Sequence, residues 1–203
     1  MLCLNVTAGI GVIGQASAMS QEMFPGRVTA MAAAGFIGLT SLFNMAGRFI
    51  WASVSDYIGR KNTYFCFFAI GTVLYALVPY TGTVGSIAAF VLCFLVIFSM
   101  YGGGFATVPA YLKDMFGTRY VGAIHGMLIT AWSMAGIFGP VLVNYIRQYQ
   151  IDHGVPKAQA YNFTMYVMAG LLLIGFFCNL FVTAVNARHH MKHDTADAMG
   201  MAD

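Results

Sequence analysis

Six stretches of the chain are apolar for long enough, or nearly long enough, to cross a bilayer, and polar clusters separate them. A spanning helix needs about 20 mostly apolar residues. The first stretch, Met1 to about Met19, is short and begins already apolar with no charged residue ahead of it, which reads as a truncated start. The second runs from about Val28 to Val54, after the turn signal Phe24-Pro25-Gly26. The third, Asn62 to Val78, is expected to end at Pro79 and the turn Thr81-Gly82, because proline cannot donate to the helical ladder. The fourth spans Val84 to about Tyr111, the fifth Val121 to Tyr145, and the sixth Phe163 to Val185. Residues 1–185 therefore read as an all-α transmembrane bundle, and Asn186 to Asp203 as a polar tail.

One polar pattern interrupts this plan. Thr40, Ser41, Asn44, Arg48, Trp51 and Ser55 recur at helical spacing and form a polar stripe within the second stretch. Between Arg27 and Asp56 the only ionisable residue is Arg48, eight residues or roughly 12 Å of helix from Asp56. A cation at that depth costs on the order of 3 kcal/mol or more, so such residues usually face a bundle interior or a water-filled cavity. The alternatives are snorkelling to the surface, for which 12 Å is long, and pairing with a carboxylate from a part of the protein outside this sequence.

Composition excludes a soluble domain. Of 203 residues 59% are hydrophobic and 8% are charged, whereas soluble domains carry about 25% charged residues. The net charge of +3, with its cations dispersed, gives no basic patch for nucleic acid. Cys3, Cys66, Cys93 and Cys178 lie in apolar segments without metal-type spacing and read as small buried hydrophobes. No metal or cofactor motif is present in the sequence.

The cations set a topology. Arg60, Lys61, Lys113, Arg119, Arg188 and Lys192 fall on one side, and Arg27, Arg147 and Lys157 on the other, so the loop at Asp56 and the C-terminal tail are expected in the cytoplasm. His189, His190 and His193 share that tail with Arg188 and Lys192, which suits attraction to anionic lipid better than metal binding. Small residues four apart, Gly122-xxx-Gly126 and Ala131-xxx-Ala135-xxx-Gly139, predict close helix approach on the fifth stretch. Gly139-Pro140, and Gly102, Gly103 and Gly104 followed by Pro109, predict helices built to bend.

Gly47-Arg48 followed by Ser55-Asp56-Tyr57-Ile58-Gly59-Arg60-Lys61 resembles the cytoplasmic loop signature of the major facilitator superfamily, in the copy between its eighth and ninth helices. NVTAGIGVIGQAS, GGGFATVPAYLKDMFG and VGAIHGMLITAWSMAGIFGP resemble the oxalate/formate antiporter family within that superfamily. The resemblance implies an all-α integral membrane fold in which the chain supplies helices seven to twelve, the C-terminal half, of a twelve-helix transporter. The missing N-terminal half, the lipid bilayer and a small carboxylate substrate are then its partners, in the plasma (inner) membrane.

Residue roles follow from the resemblance in the same way. Gly47, Asp56, Gly59, Arg60 and Lys61 correspond to a conformational latch. Chemistry agrees, since an acid at a helix C-terminus is locally unfavourable and Arg60, four residues on, is the nearest cation. Arg48 matches an arginine on the eighth helix, and guanidinium can take a carboxylate bidentately. Tyr101 and Phe105 match aromatics on the tenth helix, and with Asn44 and Trp132 they complete a substrate-binding set around Arg48. Trp132 stands where oxalate-transporting members carry a second cation, a lysine. One buried cation favours a monocarboxylate such as formate, lactate or pyruvate over oxalate, because a dianion would bring uncompensated charge into low dielectric.

No Asp, Glu or His lies well inside a span; His125, near the start of the fifth, is the one possible relay. The pattern Gly126, Ala135, Gly139-Pro140 resembles the superfamily's antiporter motif with one glycine replaced, which supports exchange. Proton-coupled transport of another small solute, or a membrane accessory subunit or enzyme, are the alternatives. No nucleophile, acid and base fall together at membrane depth, which disfavours an enzyme.

Overall fold

The computed structural model describes residues 1–183 and is all-helical over them. The predicted tail, with Arg188, Lys192 and its histidines, lies outside the described residues. The helices are α1 (Leu2–Ile13), α2 (Ala16–Met23), α3 (Ala30–Ile58), α4 (Arg60–Val84), α5 (Ile87–Phe116), α6 (Val121–Asp152) and α7 (Asn162–Leu180), with a 3₁₀ turn at Lys157–Gln159. Five helices among the described residues are long and apolar enough to cross a membrane, or six if α1 and α2, bent by 57° at the break between them, count as one span. The bilayer permits this plan because each helix satisfies its own backbone groups.

Helices pack in pairs: α3 on α5, α1 on α6, and α4 on both α7 and α5. Small residues set the α3–α5 crossing. A methyl group on Gly47 would collide with the Ser99 backbone, and one on Gly102 with the Asn44 backbone, so the two main chains are nearly in contact. Gly103 lies under the Trp51 side chain. Behind this crossing, Phe36, Phe90 and Phe94 form an edge-and-tilt cluster, and Tyr64 stacks among Phe67, Phe68 and Tyr111. Two buried phenols are tied to backbone carbonyls of neighbouring helices: Tyr64 donates to Gly104 O at 2.7 Å and Tyr75 to Ala8 O at 3.1 Å.

Several expected boundaries move. Pro79 does not end its helix: α4 continues through Pro79, Thr81 and Gly82 to Val84 and stops at Gly85, whose left-handed backbone (φ 70°) closes the turn. One missing donor interrupts a ladder without ending it, and Gly82 is consumed in packing under Met23. Helix α6 runs seven residues past Tyr145, to Asp152, because Arg147 there finds a partner inside the fold. Helices α5 and α6 continue through Gly102-Gly103-Gly104 and Gly139-Pro140. These glycines are buried at close contacts, whereas a methyl group on Gly122 or Gly126 would meet no atom of another helix within 4 Å. Among the described residues, the Ala135–Gly139 part of that pattern is the part buried against another helix. Cys93 is buried, Cys3 and Cys66 are half-buried, and Cys178 is exposed, which corrects the reading of all four as buried.

Candidate functional site

Helices α3, α5 and α6 bring the predicted site residues to one region of the bundle. The α3 stripe divides by function once its partners are known. Thr40, Ser41 and Ser55 donate their hydroxyls back to carbonyls of their own helix, as membrane serines and threonines do when no other acceptor is in reach. Asn44 and Trp51 instead tie α3 to α5: Asn44 Nδ2 donates to Phe98 O and Trp51 Nε1 to Ser99 Oγ, both at 3.3 Å. Asn44 thus spends one amide hydrogen on structure and keeps its carbonyl oxygen. Arg48 is exposed on the bundle surface, and its guanidinium is close enough for its charge to act on the Tyr101 hydroxyl. It makes no hydrogen bond or ion pair to the described residues.

The three aromatics form a ladder between α5 and α6. Tyr101 and Phe105 meet edge to face at 5.4 Å, and Phe105 meets Trp132 the same way at 5.4 Å. Trp132 Nε1 donates to the Tyr101 hydroxyl at 3.3 Å, closing the group. Gly9 of α1 makes room for the Tyr101 ring, so three helices fix the phenol. Beside it, Asn5, Gly9, Tyr75, Met100 and Tyr101 line a cavity of about 20 Å³, enough for one water. Asn5 escaped the sequence reading because a single amide in an apolar helix carries no periodic signal.

A second cluster gathers around the α3–α4 turn. Gly59, in a backbone region open chiefly to glycine (φ 86°), reverses the chain so that Arg60 folds back along α3. There Arg60 pairs with Asp56, donates to Ser55 Oγ, and approaches Asp114 of α5 with Nε–Oδ2 at 3.5 Å. Lys61 turns the other way and caps α7, donating to Leu180 O at 3.1 Å and Val182 O at 2.6 Å. A cation at that carbonyl-rich end also opposes the helix dipole. Asp114 was not singled out from sequence. Its signal was present: like Asp56 it is an acid in the last turn of a helix, an unfavourable place unless a cation is supplied from elsewhere.

On the opposite end of the bundle, Glu22 and Arg147 form a two-pronged ion pair, which the sequence reading also missed; it placed Arg147 only as a loop cation. His125 is half-buried on α6, and its Nδ1 has no partner.

Comparison with characterised proteins gives one partial match. The chain is 36% identical over 103 residues to the oxalate:formate antiporter of Oxalobacter formigenes. The similarity is to a transporter. It covers 51% of this chain and 24% of that protein, so the chain spans about a quarter of the relative it matches. No protein-family model matches, and no solved structure matches. The apolar helices and the antiporter likeness together support a multi-pass membrane protein related to transporters.

Proposed function

We propose that the chain is the C-terminal six-helix half of a twelve-helix major facilitator superfamily transporter, and that it carries small organic anions across the plasma membrane. The observation that carries this reading is Arg48, a charged side chain mid-helix with no ion-pair partner among the described residues, beside the Tyr101–Phe105–Trp132 ladder. A guanidinium left unneutralised in the bilayer region is costly, and an anionic substrate offsets that cost each time it binds. Planar carboxylate fits the guanidinium fork, and the aromatic edges and faces bound the space beside it. With one cation in the site, monocarboxylates such as formate, lactate or pyruvate are the preferred cargo, and exchange is the preferred mode.

Transport then proceeds by rocking this bundle against its counterpart around a site near the bilayer midplane. The Asp56–Arg60–Asp114 cluster acts as the cytoplasmic latch, with the tail on the same side. Arg60 stands between two acids on different helices, so a small displacement of α3 against α5 changes which of them it satisfies. The buried glycines of α5 and α6 and Pro140 are the points at which those helices bend.

The test is uptake of a labelled carboxylate panel by the complete protein in proteoliposomes. Arg48→Gln is expected to abolish uptake while leaving protein in the membrane, and unchanged uptake would end the site assignment.

A further inference from the structure

At the end of the bundle opposite the Asp56 turn, the α2–α3 corner (residues 24–29) meets the α4–α5 turn at Gly85. Arg27 makes the joint: its Nη1 donates to Gly85 O at 2.6 Å, where α4 ends. The guanidinium is exposed, and no carboxylate pairs with it among the described residues. Arg27 lies ahead of the α3 span and Gly85 between the α4 and α5 spans, which puts the charge at the level of the lipid headgroups. From Arg27 a groove of about 290 Å³ runs along the bundle. Its floor is Phe24, Phe36 and Phe90, ring against ring at 5.4 and 5.7 Å. One wall follows α3 through Ala32, Gly35 and Leu39, roughly 10 Å of helix, and Ile87 and Val91 of α5 form the other. Gly35 leaves the channel open, since a methyl group there would meet no atom of another helix within 4 Å. Besides Arg27 the one polar residue on the lining is Ser20, whose hydroxyl is already spent on Ser17 O at 2.7 Å. Leu39 and Arg48 are nine residues apart, about two and a half turns, so the groove and Arg48 lie on opposite sides of α3.

We propose that this groove is a binding site for an anionic phospholipid, with the phosphate on Arg27 and one acyl chain lying between α3 and α5. A cation at the headgroup end and an apolar channel leading from it along a spanning helix match the two parts of that molecule in their order of depth. The guanidinium keeps donors free after binding Gly85 O, and its fork suits phosphate oxygens. Water is a poor occupant, because the aromatic and aliphatic walls give it no hydrogen-bond partners. Net charge supplies the selection: phosphatidylcholine brings its own cation next to Arg27, whereas phosphatidylglycerol brings none. With the anion site on the other side of α3, the groove opens toward the bilayer and draws its occupant from there.

The experiment reads lipid contact and not transport, so its outcome is independent of the anion assignment. The complete protein is placed in phosphatidylcholine vesicles with a trace of phosphatidylglycerol or phosphatidylcholine that carries a photoreactive diazirine on one acyl chain, and the labelled peptides are mapped. At equal mole fraction the phosphatidylglycerol probe is expected to label residues 32–39 and 87–91 about fivefold more than the phosphatidylcholine probe, the selectivity one surface cation supplies. Excess unlabelled phosphatidylglycerol should remove that surplus. Arg27→Gln is expected to abolish the preference and Arg27→Lys to keep it. Gly35→Leu, which fills the groove, should lower labelling by both probes, and Gly38→Leu, on the same helix outside the groove, should leave it unchanged. Equal labelling by the two probes in the parent would mean ordinary surrounding lipid, and unlabelled segments would mean that another part of the protein covers the groove. Either result overturns the proposal, as does a preference that survives in Arg27→Gln. Where Arg27→Gln does not accumulate, the two leucine variants decide, and equal labelling in both contradicts the site.

Discussion

Adding one methyl group at Gly139 is the sharpest perturbation the packing offers. A Cβ there would stand 2.8 Å from Thr7 O and 2.9 Å from Gly11 N, both main-chain atoms of α1 that no rotamer change can move aside. To reach ordinary contact at 3.4 Å, α1 and α6 must separate by about 0.6 Å. Overpacking of this kind costs about 1–3 kcal/mol, offset by about 0.5–1 kcal/mol for replacing glycine inside a helix. The separation also reaches the site. Trp132 on α6 holds Tyr101 through a 3.3 Å bond, and Tyr101 rests on Gly9 of α1, so the same displacement carries that bond beyond useful range. Gly139→Ala is therefore expected to lower the unfolding midpoint of the purified protein by a few degrees, at about 2–4 °C per kcal/mol for a chain of this size, and to slow carboxylate uptake. Gly136→Ala on the same helix, with no atom within 4 Å, is the control and should match or exceed the parent in stability. If Gly139→Ala and Gly136→Ala behave alike in both assays, α1 and α6 do not pack as described and the reasoning fails.

Two more perturbations address the charges. Trp132→Lys places a second cation on the aromatic ladder, next to Tyr101 and Phe105, and is expected to shift uptake from monocarboxylates toward oxalate, measured by competition between labelled formate and unlabelled oxalate; an unchanged preference would remove the charge-count argument. Asp114→Asn removes one of the two acids facing Arg60, and because Asp114 is 57% exposed the stability cost should not exceed about 1 kcal/mol. Its expected signature is a changed exchange rate at a nearly unchanged unfolding midpoint, and a large loss of stability with normal exchange would make the cluster structural.

Much of the helical plan was legible from periodicity, because an apolar stretch of spanning length has few alternatives in lipid. The errors came where a local signal competed with packing. Pro79 and Gly82 read as a turn, yet α4 runs through them because Gly82 is used against Met23 and Gly85 supplies the reversal. Gly122 and Gly126 share the spacing of a packing motif, but spacing cannot say which face of a helix has a neighbour. In the same way the α3 stripe was readable as a stripe, whereas the division between residues that bond their own helix and those that reach α5 depends on tertiary contacts. The Asp56–Arg60 pair was foreseeable at four residues apart, while the Arg60–Asp114 and Glu22–Arg147 pairs join positions 54 and 125 residues apart; Asp114 showed only as an acid at a helix end, with nothing to name its partner.

The central claim is that Arg48 faces a wet path used by anions, and thiol chemistry at that position tests it most directly. With Arg48→Cys in an otherwise cysteine-free complete protein, a membrane-impermeant, negatively charged methanethiosulfonate reagent should modify the thiol from water. A thiol that stays unmodified in the folded protein in membranes would place residue 48 away from any wet path and contradict the account.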